Sequence, residues 1–445
     1  MIDFILLTNI IIGILILLVL ILRVKLPAFI ALLIASIITG LLAGLESDEI
    51  VNTITDGMGG TLGFVATVVG LGAIFGGILE HSGGANAIAN YLMQRMGMNR
   101  APLAIMISGF IIAIPVFFDV AFIILIPVIY AIQRKTKKSL LLYAIPLLAG
   151  LAATHAFIPP TPGPIAVAEL VDADMGWVIL IGFMAGLPAV LVSGLFFGKY
   201  IASKIHIEAP IEILRNVTKE LPDARLIFAI IVIPIVLILL NTFVSSNLIG
   251  VPNEYIKNSI QLIGHPFVAL IIANLIAWYS LGILRGIKNH EMLKISAKSF
   301  EPAGTIILLT GAGGVFKQVL INTGAGKMLA TSLIEIEFPI LVFGFLTAAI
   351  VRIVQGSATV AMITAAGLVA PLLHGTDLYG ASLACLVIAI ASGASIFSHV
   401  NDSGFWLVGQ YLHLTEKQTF KTWSVMTTLL ALTGFLMVLL INSFL

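Results

Sequence analysis

Residues 4–22 read FILLTNIIIGILILLVLIL, and apolar runs like it, close to the roughly 20 residues a helix needs to cross a bilayer, recur from one end of the chain to the other. In hydrocarbon every backbone N–H and C=O must be satisfied inside the protein, so only helices or closed barrels span. A barrel would show weak alternation rather than unbroken apolar runs. The chain is therefore read as an all-α polytopic membrane protein. Composition agrees: 59% of the 445 residues are hydrophobic and 10% are charged, against about 25% charged in a soluble domain. The first run has no basic segment before it and no small-residue cleavage site, and its positive charges, Arg23 and Lys25, follow it. It reads as the first transmembrane helix rather than a signal peptide.

The chain resembles itself at an offset of roughly 240 residues, the first thing to look for in a long sequence. GLGAIFGGILEHSGGA (70–85) aligns with GAGGVFKQVLINTGAG (311–326), setting Phe75 on Phe316, Leu79 on Leu320 and Gly83 on Gly324. THAFIPPTPG (154–163) falls opposite SHVNDSG (398–404). Because Lys and Arg concentrate in cytoplasmic loops, loop charge tests the relative orientation of the halves. In the first half QRMGMNR (94–100) and RKTKK (134–138) are basic while ESDE (46–49) and VDAD (171–174) are acidic; in the second half the equivalents swap sign, with RGIKNHEMLKISAK (285–298) basic and IEIE (334–337) acidic. The pattern predicts inverted-topology repeats, residues 1–205 with the N-terminus outside and residues 226–445, joined by a cytoplasmic linker at 206–225. Each repeat is expected to carry about five transmembrane helices plus one re-entrant hairpin, at 102–133 and 338–372, with broken helices at the midplane.

Polar chemistry collects at those breaks. The hairpin midpoints fall at IPVFFDVAF (114–122) and VRIVQGSATVA (351–361). Pro115 donates no backbone bond and Gly356 breaks a helix cheaply, so both tips free backbone groups at membrane depth, which is tolerated only within protein or beside a cavity. New helices then begin at Asp119 and Ser357, and their unpaired N–H groups attract an anion. The next crossing of each half is interrupted too, by four prolines in THAFIPPTPGP (154–164) and by SHVNDSG.

Candidate residues follow. Asp119 is a proton-coupling carboxylate or the N-cap of the second hairpin arm; Asp402 is a proton carrier or substrate ligand, or the cap of its own half-helix. His155 and His399 bind a carboxylate, relay protons, or are structural histidines bonded to carbonyls. Thr154, Thr161, Gly356, Ser357, Thr359, Asn401 and Asp402 offer donors and acceptors to a hydroxylated substrate, or, for the small polar residues, glue between helices. Arg352, the one arginine inside a hairpin, pairs with a substrate carboxylate or with Asp119, or snorkels from the hairpin arm to an interface, the reading preferred here; Lys317 and Glu80 read as structural or interfacial. GLGAIFGG lacks the preceding strand and the GK[ST] of a phosphate loop, so it reads as close helix packing. A net charge of +1 without a basic stripe excludes a nucleic-acid partner. One cysteine, Cys385, makes neither an internal disulfide nor a multi-cysteine metal site. No metal site, cofactor or nucleotide motif is expected, which leaves an ion gradient, proton or sodium, as the energy source.

GGTLGF, LEHSGGA, THAFIPPTPGP, GAGGVFKQVLINTGAG, GSATVA and SHVNDSGFW together resemble the gluconate permease family over nearly the whole chain. The resemblance implies a proton-coupled importer of gluconate or a related sugar or hydroxy acid in the cytoplasmic (inner) membrane, with an elevator motion of one domain against a scaffold. Asp119 and Thr161 stand where many family members have glutamate and histidine, which leaves open another sugar acid as substrate. Alternatives are sodium-coupled or exchange transport of another small organic anion or D-serine, and an intramembrane enzyme built on His155, His399 and Asp402. The inverted duplication argues against the enzyme, because alternating access needs two-sided symmetry and hydrolysis does not. The expected partners are a small carboxylate and the bilayer, with a homo-oligomer left open.

Overall fold

The structure is a computed structural model and describes residues 4–210, 221–246, 248–249, 253–324, 338–373, 378–400 and 402–445. The first half contains α1 (Phe4–Leu22), α2 (Ala28–Leu42), α3 (Ser47–His81), α4 (Gly84–Met96), α5 (Ala101–Ile112), α6 (Phe118–Thr136), α7 (Leu141–Phe157), α8 (Pro162–Leu170) and α9 (Met175–Lys204). The second contains α10 (Ala224–Ser245), α11 (Glu254–Ile263), α12 (Pro266–Arg285), α13 (Asn289–Asn322), α14 (Ile340–Gln355), α15 (Ala358–Val369), α16 (Ala381–Ser395), α17 (Ser403–Tyr411) and α18 (Glu416–Asn442). Among the described residues there is no strand, and seven helices are long and apolar enough to cross a membrane.

The two halves repeat one order of elements: a very long helix (α3, α13), a helical hairpin (α5–α6, α14–α15), a broken helix (α7–α8, α16–α17) and a last helix carrying a π-helical turn (Leu191–Phe196 in α9, Phe420–Ser424 in α18). The glycines aligned from sequence occupy matching turns. Gly83 ends α3 at φ 81° and Gly324 follows α13 at φ 72°, a left-handed backbone that glycine adopts without steric cost. Helix α3 runs from Ser47 and stops at His81, and residues 84–96 form a separate helix. ESDE is not a loop but the start of α3, with Glu46 at the N-cap and Glu49 reaching back to the Glu46 N–H. Acidic residues suit the positive end of a helix, so charge here initiates a helix rather than interrupting one. At 35 residues α3 is about 52 Å long at 1.5 Å per residue, more than the hydrocarbon thickness of roughly 30 Å. It must tilt or project beyond the membrane.

Helices α3 and α13 cross at glycine. A Cβ placed on Gly57 would lie 2.8 Å from the Gly314 carbonyl oxygen, and one on Gly314 would lie 2.6 Å from the Gly57 carbonyl oxygen, so each backbone occupies the space the other vacates. The hairpins are pressed onto the broken helices by the same device. A Cβ on Gly150 of α7 would overlap the carbonyl of Met106 in α5, and one on Gly393 of α16 would overlap the carbonyl of Phe345 in α14. Such small-residue contacts let helices approach where lipid supplies no hydrophobic drive between them. At the start of the linker Ile207 accepts from the Leu140 N–H at 2.8 Å and Pro210 from Arg134 Nη2 at 2.5 Å, which ties the chain against the α6–α7 turn.

Gly57→Ala should lower the unfolding free energy by about 1–3 kcal/mol through overpacking. Gly59→Ala, where a Cβ meets nothing within 4 Å, should be neutral or stabilising by up to about 1 kcal/mol, the helix-propensity gain. Thermal unfolding of the two purified variants side by side checks this.

Candidate functional site

Four helices begin inside the bundle, each for a local reason. Pro115 lies in the turn between α5 and α6, and α6 starts after Phe117 (φ −58°, ψ 143°). The run Ile158–Thr161, with a cis peptide between Pro159 and Pro160, separates α7 from α8, and Pro162 occupies the first position of the new helix, where a missing N–H costs nothing. Gly356, at φ 95°, ends α14; Ser357 then caps α15 by accepting from the Val360 N–H at 3.3 Å. The Ser357 N–H itself donates to Gln355 Oε1 at 2.7 Å. Asp402 caps α17, its Oδ1 accepting from the Gly404 N–H at 3.1 Å.

These four N-termini border one cavity of about 420 Å³. Phe118 and Asp119 come from α6, Gly163 from α8, Ala358 and Thr359 from α15, and Ser403 and Gly404 from α17, while Trp423 and Thr427 of α18 close one side. The first N–H groups of each helix have no intrahelical partner, and the aligned peptide dipoles put partial positive charge at each end. The cavity is thus suited to an anion carrying hydroxyls.

Its charged groups are unequally provided for. Arg352, in the last turn of α14, is 4% exposed. Its Nη2 makes an ion pair with Asp402 Oδ2 at 2.5 Å, and Nη1 donates to the Gly356 carbonyl of its own hairpin tip. The interfacial reading of Arg352 is corrected here: the side chain turns into the protein because a carboxylate and a carbonyl wait there. Asp402 is held further by the Ser398 hydroxyl, which donates to Oδ2 and accepts from Trp423 Nε1 at 2.6 Å. Ser398 is fixed in turn by Thr427 Oγ1, which accepts from its N–H at 3.2 Å, and by the Ser424 hydroxyl, which donates to its carbonyl. Asp119 lines the same cavity with neither a hydrogen bond nor an ion pair among the described residues. Phe117, not Asp119, takes the cap position of α6, so the carboxylate is not committed to the helix end.

Of the residues singled out from sequence, Asp119, His155, Gly356, Ser357, Thr359 and Asp402 meet at the cavity. His155 also borders a much smaller pocket with Pro115, Pro160 and Thr161, and its Nδ1 is buried with no hydrogen-bond partner. Three side chains are engaged elsewhere. The buried Thr154 hydroxyl donates to the Phe110 carbonyl at 2.8 Å, tying α7 to α5. Thr161 donates to the Ile158 carbonyl at 2.6 Å, within the break itself. His399 Nε2 lies 2.6 Å from the Ile353 carbonyl oxygen, against α14. Asn401 lies outside the described residues. Lys317 pairs with Asp172 at 3.2 Å, away from the cavity. Sequence reading passed over Gln355, Trp423 and Thr427. Of these only Gln355 carried a signal, as a polar side chain immediately before a helix-breaking glycine in a membrane hairpin.

Comparison with known proteins fits this geometry. The family model for GntP family permeases matches residues 5–444. The chain belongs to that family. It is 40% identical over 424 residues to the low-affinity gluconate transporter of Escherichia coli, covering 95% of each chain. It is also 38% identical to the gluconate permease of Bacillus subtilis, over 97% of this chain and 98% of that one. Among solved structures the YdaH transporter of Alcanivorax borkumensis superposes with a TM-score of 0.68 over 98% of both chains at 14% identity, a likeness of fold. This GntP family protein is thus a multi-pass membrane permease and not an enzyme.

Asp402→Ala should lower stability by on the order of 3–5 kcal/mol, because it leaves the buried Arg352 guanidinium without its counter-charge. The double variant Arg352→Gln/Asp402→Asn, which removes both charges, should recover most of that loss in a thermal melt.

Proposed function

We propose that the protein imports gluconate or a closely related small sugar acid by proton symport, with Asp119 carrying the proton. The observation that carries this reading is the charge balance of the cavity among the described residues: one arginine, already paired with Asp402, and a second carboxylate, Asp119, with no partner. A substrate carboxylate entering beside an ionised Asp119 meets an uncompensated negative charge. At a separation of about 6 Å and an effective dielectric of about 20 the repulsion is about 2.8 kcal/mol, or a weakening of binding by about 100-fold. A proton on Asp119 removes that penalty, so anion and proton bind best together, which is the thermodynamic requirement of symport. Asp402, fixed by Arg352, Ser398 and the Gly404 N–H, is bound up in structure and is not the proton carrier in this reading.

The names of the relatives at 34–40% identity support gluconate as substrate. The cavity volume lies in the range of about 300–1,000 Å³ common to small-molecule sites. Repetition of the hairpin and broken-helix order in both halves, together with the opposed loop charges, supports inverted repeats at 1–205 and 226–445. In that arrangement the four breaks travel between the two membrane faces as one body against the remaining helices.

Uptake of radiolabelled gluconate into proteoliposomes should rise with an inward proton gradient, vanish with a protonophore, and be indifferent to replacing sodium by choline. Asp119→Asn should still exchange internal for external substrate while losing at least about 10-fold in gradient-driven accumulation. Sodium-dependent uptake, or undiminished accumulation by Asp119→Asn, would overturn the reading.

A further inference from the structure

Resting on that reading of the cavity as the substrate site, we infer that Arg352 is the specificity-determining residue for the substrate's carboxylate. The guanidinium carries five N–H groups in a fixed fork. Among the described residues two are used, one from Nη1 on the Gly356 carbonyl and one from Nη2 on Asp402 Oδ2, while Nε is buried without a partner. A buried donor with no acceptor is costly, more so on a charged group. Here it belongs to a residue that is 4% exposed and borders the cavity. If Arg352 served only to staple the hairpin tip to α17, its two existing bonds would suffice and a lysine or glutamine could make them. An arginine with spare donors at the edge of an anion-sized space is matched instead to a further acceptor of carboxylate geometry.

The surroundings favour the same role. Arg352 sits across the Gly356–Ser357 break from the first turn of α15, where the N–H groups of Ala358 and Thr359 have no intrahelical partner. A carboxylate there faces the guanidinium on one side and a helix N-terminus on the other. Asp402 orients the guanidinium and supplies its counter-charge, competing for the same donors. With one arginine against two aspartates, the cavity suits a monocarboxylate whose remaining carbons carry neutral hydroxyls.

The test is an equilibrium comparison of gluconate with its neutral carboxamide on purified protein, read as the ratio of the two dissociation constants by titration calorimetry. Wild type should prefer the carboxylate. The charge-balanced double variant Arg352→Gln/Asp402→Asn, shown to be folded by its melt, should lose about 10- to 100-fold of that preference, its loss for the carboxylate exceeding its loss for the carboxamide by that factor. Asp402→Asn alone, which keeps the arginine and removes its competitor, should keep a ratio at least as large as that of wild type. A double variant with an undiminished ratio, equal losses for both ligands, or a wild-type ratio near one would each overturn the inference. All arms are measured at one pH, so the Asp119 carboxylate contributes alike to each ratio, and failure of gradient-driven uptake and failure of the arginine assignment are separate results.

Discussion

An unpaired peptide N–H or C=O in hydrocarbon costs several kcal/mol, and this chain interrupts its helices at Ala113–Phe117, Ile158–Thr161 and Gly356–Ser357, and again after α16 ends at Ser395. No one of these breaks is tolerable against lipid. They become tolerable together, because the helices that restart after all four border one cavity inside the protein. The caps at Ser357 and Asp402, and the carbonyls of Gly356, Ile158 and Ser398 that accept side-chain donors, meet the same demand locally. The binding cavity is in this sense what remains once the backbone has been satisfied everywhere else.

Glycine makes the convergence possible. The first arm of each hairpin lies against the first half of the following broken helix with only a glycine between the backbones, Gly150 against Met106 and Gly393 against Phe345. Thr154 adds a side-chain bond to the same seam by donating to Phe110. Each tip is thereby held over its break by backbone contact, which leaves little room for the tip to shift without the broken helix.

The breaks were legible because proline and glycine inside apolar runs have few other meanings in a membrane. So was the gathering of Asp119, His155, Ser357 and Asp402, since buried ionisable groups need company. What sequence could not convey was direction. Arg352 near the end of an apolar helix is consistent with reaching outward to an interface or inward to Asp402, 50 residues away, and only the fold brings the partner. Thr154 and His399 are polar residues beside a break whose side chains turn to carbonyls of α5 and α14, and spacing alone does not separate that from facing the cavity. The start of α3 is hidden for the opposite reason: the acidic residues of ESDE read as a loop and are the residues that start the helix.

The two halves also show how a duplicated scaffold acquires unlike roles. Matching the residues that precede each inner helix sets Phe117 against Ser357 and Thr161 against Asp402. Ile112 then stands where the second half has Arg352, and Thr359 stands where the first half has Asp119. Among the described residues that line the cavity, the second half therefore holds a positive and a negative group that neutralise one another at its break, while the first contributes one carboxylate, a histidine and no lysine or arginine. Backbone geometry is shared because both halves meet the same hydrogen-bonding constraint. Charge is divided: the cation and its counter-charge both lie in the second half, and the carboxylate without a partner among the described residues lies in the first.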